Sequence, residues 1–388
     1  MSELQDIGLR KIVVPETVFG NGARHLAGRY AGNLAAHHAL VITDTGVLQA
    51  GWVQDVLDSL NKEGISHTIY QGVTSNPKVD EVMQGSALYH QHNCDIIIAV
   101  GGGSPMDCAK GVGIVSSNGR NIRDYEGIDT IPLPSPPLIC VPTTAGSAAD
   151  VSQFAIITDL ERRLKMAIIS KILVPDVALV DPETTVTQPK DVTISAALDA
   201  FSHAIEAAAS TARWALTDLY AHDAIRRIHE HFPYVLSQPD DLGHRSQLLY
   251  GSMLAGLAFS SASLGLIHAL SHGVGGWFDT THGLSNAVLM PYVIAYNYPS
   301  APDAYDAIGR ALGLSIDELT PDERLTALLR EIHRINQIAG APTSLGELGV
   351  TKENIPTMVS HAMHDVTVVT NPRRPTEGEL EVIYEQAL

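Results

Sequence analysis

Asp95-Ile-Ile-Ile-Ala-Val-Gly-Gly-Gly-Ser-Pro-Met-Asp-Cys-Ala-Lys110 is the stretch on which the fold turns. Asp95 to Val100 is nearly all apolar and β-branched, the pattern of a strand covered on both faces. It runs straight into three glycines and then a helix start: Ser104 suits an N-cap, Pro105 the first helical position, and Asp107 a capping-box-like return. Gly101, Gly102 and Gly103 allow a diphosphate to approach the backbone, where free N–H groups and the positive helix end would meet it. The same turn also reads as a tight connection and nothing more. It lacks the G-x-G-x-x-G spacing and follows a late strand, so it is not the ordinary Rossmann fingerprint.

Outward from this stretch, Ala39 to Thr43, Ser66 to Tyr70, Pro137 to Val141 and Val177 to Val180 read as further strands, with helices over Gly51 to Glu63 and Lys78 to Gln91. Such alternation predicts a largely parallel, doubly wound sheet. From about Val192 strand signals nearly vanish and Ala- and Leu-rich helical patterns take over. The polar segment Asp181 to Asp191 divides the chain into an α/β domain over 1–185 and an all-α domain over 186–388. A chain of 388 residues exceeds the usual size of one hydrophobic core, and the cleft between two domains is the default ligand site.

The net charge of −18, with no basic run to offset it, excludes nucleic acid and anionic membrane surfaces as partners. Cys94, Cys108 and Cys140 have no metal-binding spacing and cannot all pair, which favours a reducing compartment. The N-terminus, Met1 to Val14, has no long apolar run and does not read as a signal peptide, so a cytoplasmic location is expected. Ser246 to Phe278 contains no Asp, Glu, Lys or Arg. Serines, glycines and two histidines interrupt it, and it reads as buried helix rather than membrane span.

Two further polar turns follow strands. Asp44 closes the first clear strand, where a carboxylate would accept hydrogen bonds from an adenosine ribose and repel a 2′-phosphate; it reads equally well as the start of a turn with Thr45 and Gly46. Pro142-Thr-Thr-Ala-Gly-Ser147 offers hydroxyls and N–H groups to a phosphate or nicotinamide, or is simply a loop. In the helix from about Val192 to Ala209, Ile194, Leu198, Phe201 and Ile205 share one face. Asp199 and His203, four apart, lie nearly opposite among alanines, so both faces look buried. A buried carboxylate and imidazole need partners; a metal ion would be one, an internal Asp–His hydrogen bond another. His268 and His272 repeat the four-residue spacing, and His282 follows ten residues later. One aspartate and these histidines suit a divalent borderline metal. Spacing alone does not say which three of the four histidines bind. No Glu lies between His268 and His272, so the metalloprotease H-E-x-x-H arrangement is absent. Most other histidines, among them His37, His38, His229 and His231, read as surface residues.

Taken together, Gly101-Gly-Gly-Ser-Pro-Met-Asp107, Pro142-Thr-Thr-Ala-Gly146, Lys165, Pro175, Asp181-Pro182, Asp199-x3-His203, His268-x3-His272-x9-His282-Gly283 and Asn371-Pro-Arg373 resemble the iron-containing alcohol dehydrogenase family along essentially the whole chain. In Thr143 to Ser152 the wording departs from the commoner family form and is more similar to that of its lactaldehyde reductase (1,2-propanediol oxidoreductase) members. The resemblance implies a dinucleotide-binding N-terminal domain, a helical metal-binding C-terminal domain and an active site between them. It implies Asp199, His203, His268 and His282 as metal ligands and His272 as a catalytic non-ligand that carries protons. It also implies NAD contacts at Asp44, Asn76, Gly101, Gly102, Gly103, Ser104, Thr143, Thr144, Ser152 and Lys165. The implied metal is Fe2+, with Zn2+ the alternative. The implied reaction is hydride transfer between a small primary alcohol or diol, or its aldehyde, and NAD, in a homo-oligomer. The competing functions are a zinc glycerol or polyol dehydrogenase of the same architecture and a low-turnover regulatory protein that binds NAD and metal.

Overall fold

The computed structural model describes residues 9–278 and 280–388. The first eight residues of the N-terminal segment discussed above therefore lie outside the described residues. In chain order the N-terminal part contains β1 (Glu16–Phe19), α1 (Ala27–Asn33), β2 (His38–Ile42), α2 (Thr45–Ala50), α3 (Trp52–Lys62), β3 (Ser66–Tyr70), α4 (Val79–Gln91), β4 (Ile96–Gly101) and α5 (Gly103–Asn118). It continues through β5 (Gly127–Ile128), β6 (Leu138–Pro142), β7 (Phe154–Asp159), β8 (Leu164–Ile169) and β9 (Val177–Val180). After β9 the α-helices are α6 (Lys190–Ala209), α7 (Ala215–Ser237), α8 (Leu242–Ala262), α9 (Leu266–Phe278), α10 (His282–Asn297), α11 (Pro302–Ala311), α12 (Pro321–Ala339), α13 (Ile355–His364) and α14 (Glu377–Ala387).

The main sheet is six-stranded and parallel throughout, in the order β1-β9-β6-β4-β2-β3. Its strands alternate between two cores. Leu40, Ile42, Ile97 and Ala99 enter one, while Ala39, Val41, Ile96, Ile98 and Val100 enter the other, all essentially out of solvent. At about 1.5–3 kcal/mol for each large aliphatic side chain removed from water, this two-sided burial explains why the Asp95 to Val100 run has no polar alternation. A second sheet, β5-β8-β7, carries an antiparallel hairpin of β7 and β8 that the strand–helix reading did not anticipate; nor did it anticipate the short, mostly exposed edge strand β1.

The helix after β4 starts earlier than the sequence reading placed it. Gly102 is its N-cap and Gly103 its first residue, so Ser104 and Pro105 lie inside the first turn and no side chain caps it. Ser104 Oγ instead accepts from the backbone N–H of Asn76 at 3.1 Å. The glycine run lets β4 turn without a cap: Gly101 has φ +154°, and a Cβ on Gly102 would press on Thr144 at 3.0 Å.

The helices pack around a third core, which also takes in Phe154, Ile169 and Val180 from the strands. Around α6 it gathers Leu198, Phe201 and Ile205 with Ile225 and Ile228 of α7 and Leu249 and Phe259 of α8. The uncharged Ser246 to Phe278 stretch forms most of α8 and all of α9, which meet at 101° and are largely buried. Among the described residues no single helix is long and apolar enough to cross a membrane. All three cysteines are buried and free.

Candidate active site and metal centre

In a parallel sheet, ligands collect at the carboxyl ends of the strands where the strand order reverses. Here β2 is flanked by β3 on one side and β4 on the other, so the reversal falls between β2 and β4. The carboxyl ends of β2, β4 and β6 deliver Asp44, the Gly101–Ser104 turn and Thr143-Thr144 to one edge. A cavity of about 800 Å³ opens there and extends to the helical part. It is lined by Asp44, Asn76, Gly102, Gly103, Ser104, Thr143, Thr144, Ser152, Lys165, Asp199, His203, His268, His272 and His282. Of the residues expected to contact NAD or metal or to carry protons, Gly101 alone is not on the wall; it sets the turn behind it.

At the strand-end side of the cavity, Asp44 does begin a turn, as the plainer of its two readings expects. It is the N-cap of α2, its Oδ1 accepting from Val47 N at 2.9 Å, and it also faces the cavity. Lys165 Nζ donates to Asn76 Oδ1 at 2.8 Å, which ties the β7–β8 hairpin to the loop before α4. Lys110, at the end of the opening stretch, is buried; its Nζ donates to Ser152 O at 2.9 Å and Phe154 O at 2.7 Å, holding the loop that carries Ser152 against α5. Asp107 does not cap α5. It lines the cavity, and burial raises its pKa to about 7 despite Lys110 and Lys165.

At the other end, α6 presents Asp199 and His203, α9 presents His268 and His272, and His282 opens α10. Donor atoms of Asp199, His203 and His268 lie within 4.8 Å of one another. Asp199 Oδ1 is 3.9 Å from His203 Nε2 and 3.6 Å from His268 Nε2, and the two rings stack at 4.6 Å with 12° between planes. His282 faces the same cavity but stands outside this trio, its ring centroid 6.2 Å from that of His268 and 5.0 Å from that of His272. The entry of α10 is pressed hard against α6: a Cβ on Gly283 would sit 1.8 Å from Ser195 O. Only glycine permits that approach, which explains the His282-Gly283 pairing.

The donor set suits a divalent cation. Burial, partly opposed by Asp199, takes His203 down to about 4; burial, Lys165 and the neighbouring histidines take His282 well below its ordinary value. Both therefore offer neutral nitrogen donors at neutral pH. Asp199 stays ionised because His203, His268 and Lys165 outweigh the burial that would raise it. For His268, burial is overcome by Glu206 and Asp199, which together raise it to about 9. Two carboxylates around one imidazole make a buried pocket of negative charge, which positive charge stabilises.

Several participants escaped the sequence reading. Glu206 accepts from His268 Nδ1, Asp365 from His272 Nδ1, and Asn286 Nδ2 lies 2.9 Å from both Asp199 Oδ1 and Ser202 Oγ. Glu206 left a trace, since it falls three residues after His203 on the same helical face. Asp365 and Asn286 left none. Of the histidines read as surface residues, His37 is exposed, but His38, His229 and His231 are half-buried, and His229 Nε2 sits 2.6 Å from Glu331 Oε1.

Residues 15–182 match the family model for iron-containing alcohol dehydrogenase, and residues 193–388 that for the C-terminal part of the Fe-containing alcohol dehydrogenase family. The chain is 33% identical to an NAD-dependent methanol dehydrogenase of Bacillus methanolicus, over 97% of this chain and 99% of that protein. It is also 33% identical to the lactaldehyde reductase of Escherichia coli (strain K12), again over 97% and 99%. The fold superposes on the crystal structure of a 1,3-propanediol oxidoreductase with a TM-score of 0.95 at 35% identity, covering 98% of this chain and 100% of that one. Through both of its parts and nearly its whole length, the chain belongs to the iron-containing alcohol dehydrogenase family.

Proposed function

We propose that this enzyme interconverts a small primary alcohol or diol and its aldehyde with NAD as hydride partner and a divalent metal, Fe2+ or Zn2+, as cofactor. The observation that carries the reading is that one continuous cavity joins the strand ends around Asp44, Ser104 and Thr143 to the Asp199, His203 and His268 trio. Under this reading the nucleotide occupies the α/β part, 1–185, and the metal the helical part, 186–388. Asp199, His203, His268 and His282 would hold the metal, which supplies Lewis acidity that eases proton loss from a hydroxyl group.

The remaining work falls to the chain. Asn76, Gly102, Gly103, Ser104, Thr143, Thr144, Ser152 and Lys165 orient the cofactor, with Asn76 preset by Ser104 and Lys165. Phe259 stacks on His203 at 4.4 Å and helps keep water from that end of the cavity. His272 is the catalytic proton carrier: its Nδ1 is engaged by Asp365, so proton exchange with the cavity runs through Nε2. The negative charge and buried thiols support a cytoplasmic enzyme with small-molecule substrates. Homo-oligomer formation is checked by light scattering.

The test is an initial-rate survey of C2 to C4 alcohols, diols and aldehydes with NAD and with NADP, on protein whose metal content has been measured. Metal-dependent NAD turnover with at least one short alcohol is expected. A metal-loaded, NAD-binding protein inert to the whole panel would contradict the proposal.

A further inference from the structure

Helix α6 carries more of the metal centre than its two expected donors. Asp199, His203 and Glu206 follow one another at four- and three-residue steps and so share a face. Glu206 is buried and uses both oxygens: Oε2 lies 2.5 Å from His268 Nδ1, and Oε1 accepts from Ile267 N at 2.6 Å, in the first turn of α9. The two side chains are only 3% and 5% exposed, so neither has water as an alternative partner. An ionised carboxylate can only accept hydrogen bonds, so the nitrogen facing it carries the proton. His268 Nδ1 therefore keeps its N–H against Glu206, and Nε2, turned to Asp199 Oδ1 at 3.6 Å, is the nitrogen whose proton a metal ion would displace.

We propose that Glu206 is a positioning residue for the metal centre, fixing the ring orientation and tautomer of His268 so that Nε2 is presented to the site shared with Asp199 and His203. The proposal rests on the reading of those three residues as metal donors. A ligand imidazole needs its free lone pair on the metal side, and a carboxylate behind the ring enforces this while raising the basicity of the coordinating nitrogen. The bond to Ile267 N adds a second constraint, because it pins the backbone next to His268. A plain structural role, a buried charge pair that holds α9 to α6, would need neither the tautomer nor the ring direction.

Glu206→Gln separates the two roles. The amide oxygen can keep the bond to Ile267 N, but the NH2 group then meets Nδ1 and favours the tautomer protonated at Nε2, which blocks the donor lone pair. Zinc(II) affinity of the full-length protein, measured near neutral pH by competition with a chromogenic chelator, should fall by about 10- to 100-fold. Far-UV circular dichroism and the NADH fluorescence titration should match the wild type. Asp199→Ala, measured alongside, distinguishes the possible failures. If Asp199→Ala loses zinc and Glu206→Gln binds it as the wild type does, the proposal for Glu206 is overturned and the metal site stands. If Asp199→Ala binds zinc as tightly as the wild type, the ligand assignment fails and takes this proposal with it. Should Glu206→Gln not fold, Glu206→Asp and Glu206→Asn, alike in size, make the same comparison. Tighter zinc binding by the Asp variant supports the role, and equal affinity overturns it.

Discussion

His272 Nδ1 lies 2.6 Å from Asp365 Oδ2, a contact between two almost fully buried side chains that are 93 residues apart in sequence. Burial alone would raise the Asp365 pKa, but His272 and the hydrogen bonds from Thr367 hold it down at about 2. Its other oxygen accepts from Thr367 N at 2.9 Å and Thr367 Oγ1 at 2.7 Å, so the carboxylate cannot swing away. The imidazole is held in one orientation with one tautomer, the arrangement by which a buried carboxylate prepares a histidine for proton transfer. The neighbouring His268 has the same construction with Glu206, yet faces the Asp199 cluster, so two histidines on one helix are held by different acids and turned to different neighbours.

This division predicts different losses. His272→Ala should keep its metal and NAD binding while turnover falls by about two to four powers of ten, the usual range for removing a general acid or base. Asp365→Asn should lose turnover in the same direction, by less, with metal content unchanged. His268→Ala should come out of purification depleted of metal. Elemental analysis beside single-turnover rates checks all three; a metal-free His272→Ala with a metal-replete His268→Ala would require the ligand set to be redrawn around His272.

Gly283→Ala should destabilise the protein more than its size suggests. The added Cβ would meet Ser195 O at 1.8 Å, a backbone atom that cannot rotate out of the way, so α10 must move off α6. Overpacking of this kind costs about 1–3 kcal/mol, which for a chain of this size lowers Tm by only a few degrees. Because His282 precedes the glycine, metal occupancy should fall as well. A variant with wild-type Tm and wild-type metal content would show that α10 accommodates the methyl group without displacing His282.

What was legible in the sequence follows the range of the interactions. The parallel sheet could be read because each buried strand announces itself locally, as Asp95 to Val100 does. The β7–β8 hairpin could not, since its turn, Leu160 to Arg163, has no Gly, Pro or Asn; it is shaped instead by Asp159, whose Oδ1 accepts from the backbone N–H of Glu161 and Arg162. The capping of α5 was misread because Ser104 satisfies the local rule for an N-cap, yet a tertiary bond to Asn76 takes its hydroxyl. At the site, the histidines and Asp199 stood out by helical spacing in apolar surroundings. Asp365 and Asn286 had no such pattern, because their partners lie 93 and 87 residues away.

The hairpin carries an acid-sensitive element. The Asp159 side chain is fully buried between Arg123 Nε at 2.9 Å and Arg162 Nε at 2.8 Å. Burial would raise its pKa, but those guanidinium groups bring it down to about 2 from the ordinary 3.8. The folded pKa is the lower one, so the stabilisation is fully present above the unfolded value and is lost as pH falls from about 4 through about 2. Asp159→Asn should therefore lower Tm at neutral pH, and the gap to the wild type should narrow across that window. A gap that stays constant down to pH of about 2 would mean that the charge of Asp159 contributes nothing.

The last prediction concerns the choice between NAD and NADP. Asp44 lies two residues past β2, beside the strand-order reversal, and lines the cavity, where its carboxylate would receive the ribose hydroxyls and repel a dianionic 2′-phosphate. Lys165 is the only lysine or arginine on the described wall, and it is bonded to Asn76, so no arginine there answers the phosphate. The enzyme should prefer NAD. Asp44 also caps α2 through Val47 N, which would confuse many substitutions with loss of the helix end. Glycine avoids the difficulty, because at an N-cap it costs only about a few tenths of a kcal/mol. In Asp44→Gly the ratio of kcat/KM values for NAD and NADP should fall by about tenfold or more, since removing an unfavourable contact of about 1.4 kcal/mol changes the ratio by that factor. Improved use of NADP, with Tm nearly unchanged, would place the carboxylate against the 2′ position. Equal use of both cofactors by the wild type, or an unaltered ratio in the variant, would leave Asp44 as a helix cap and move the source of cofactor selectivity elsewhere on the wall.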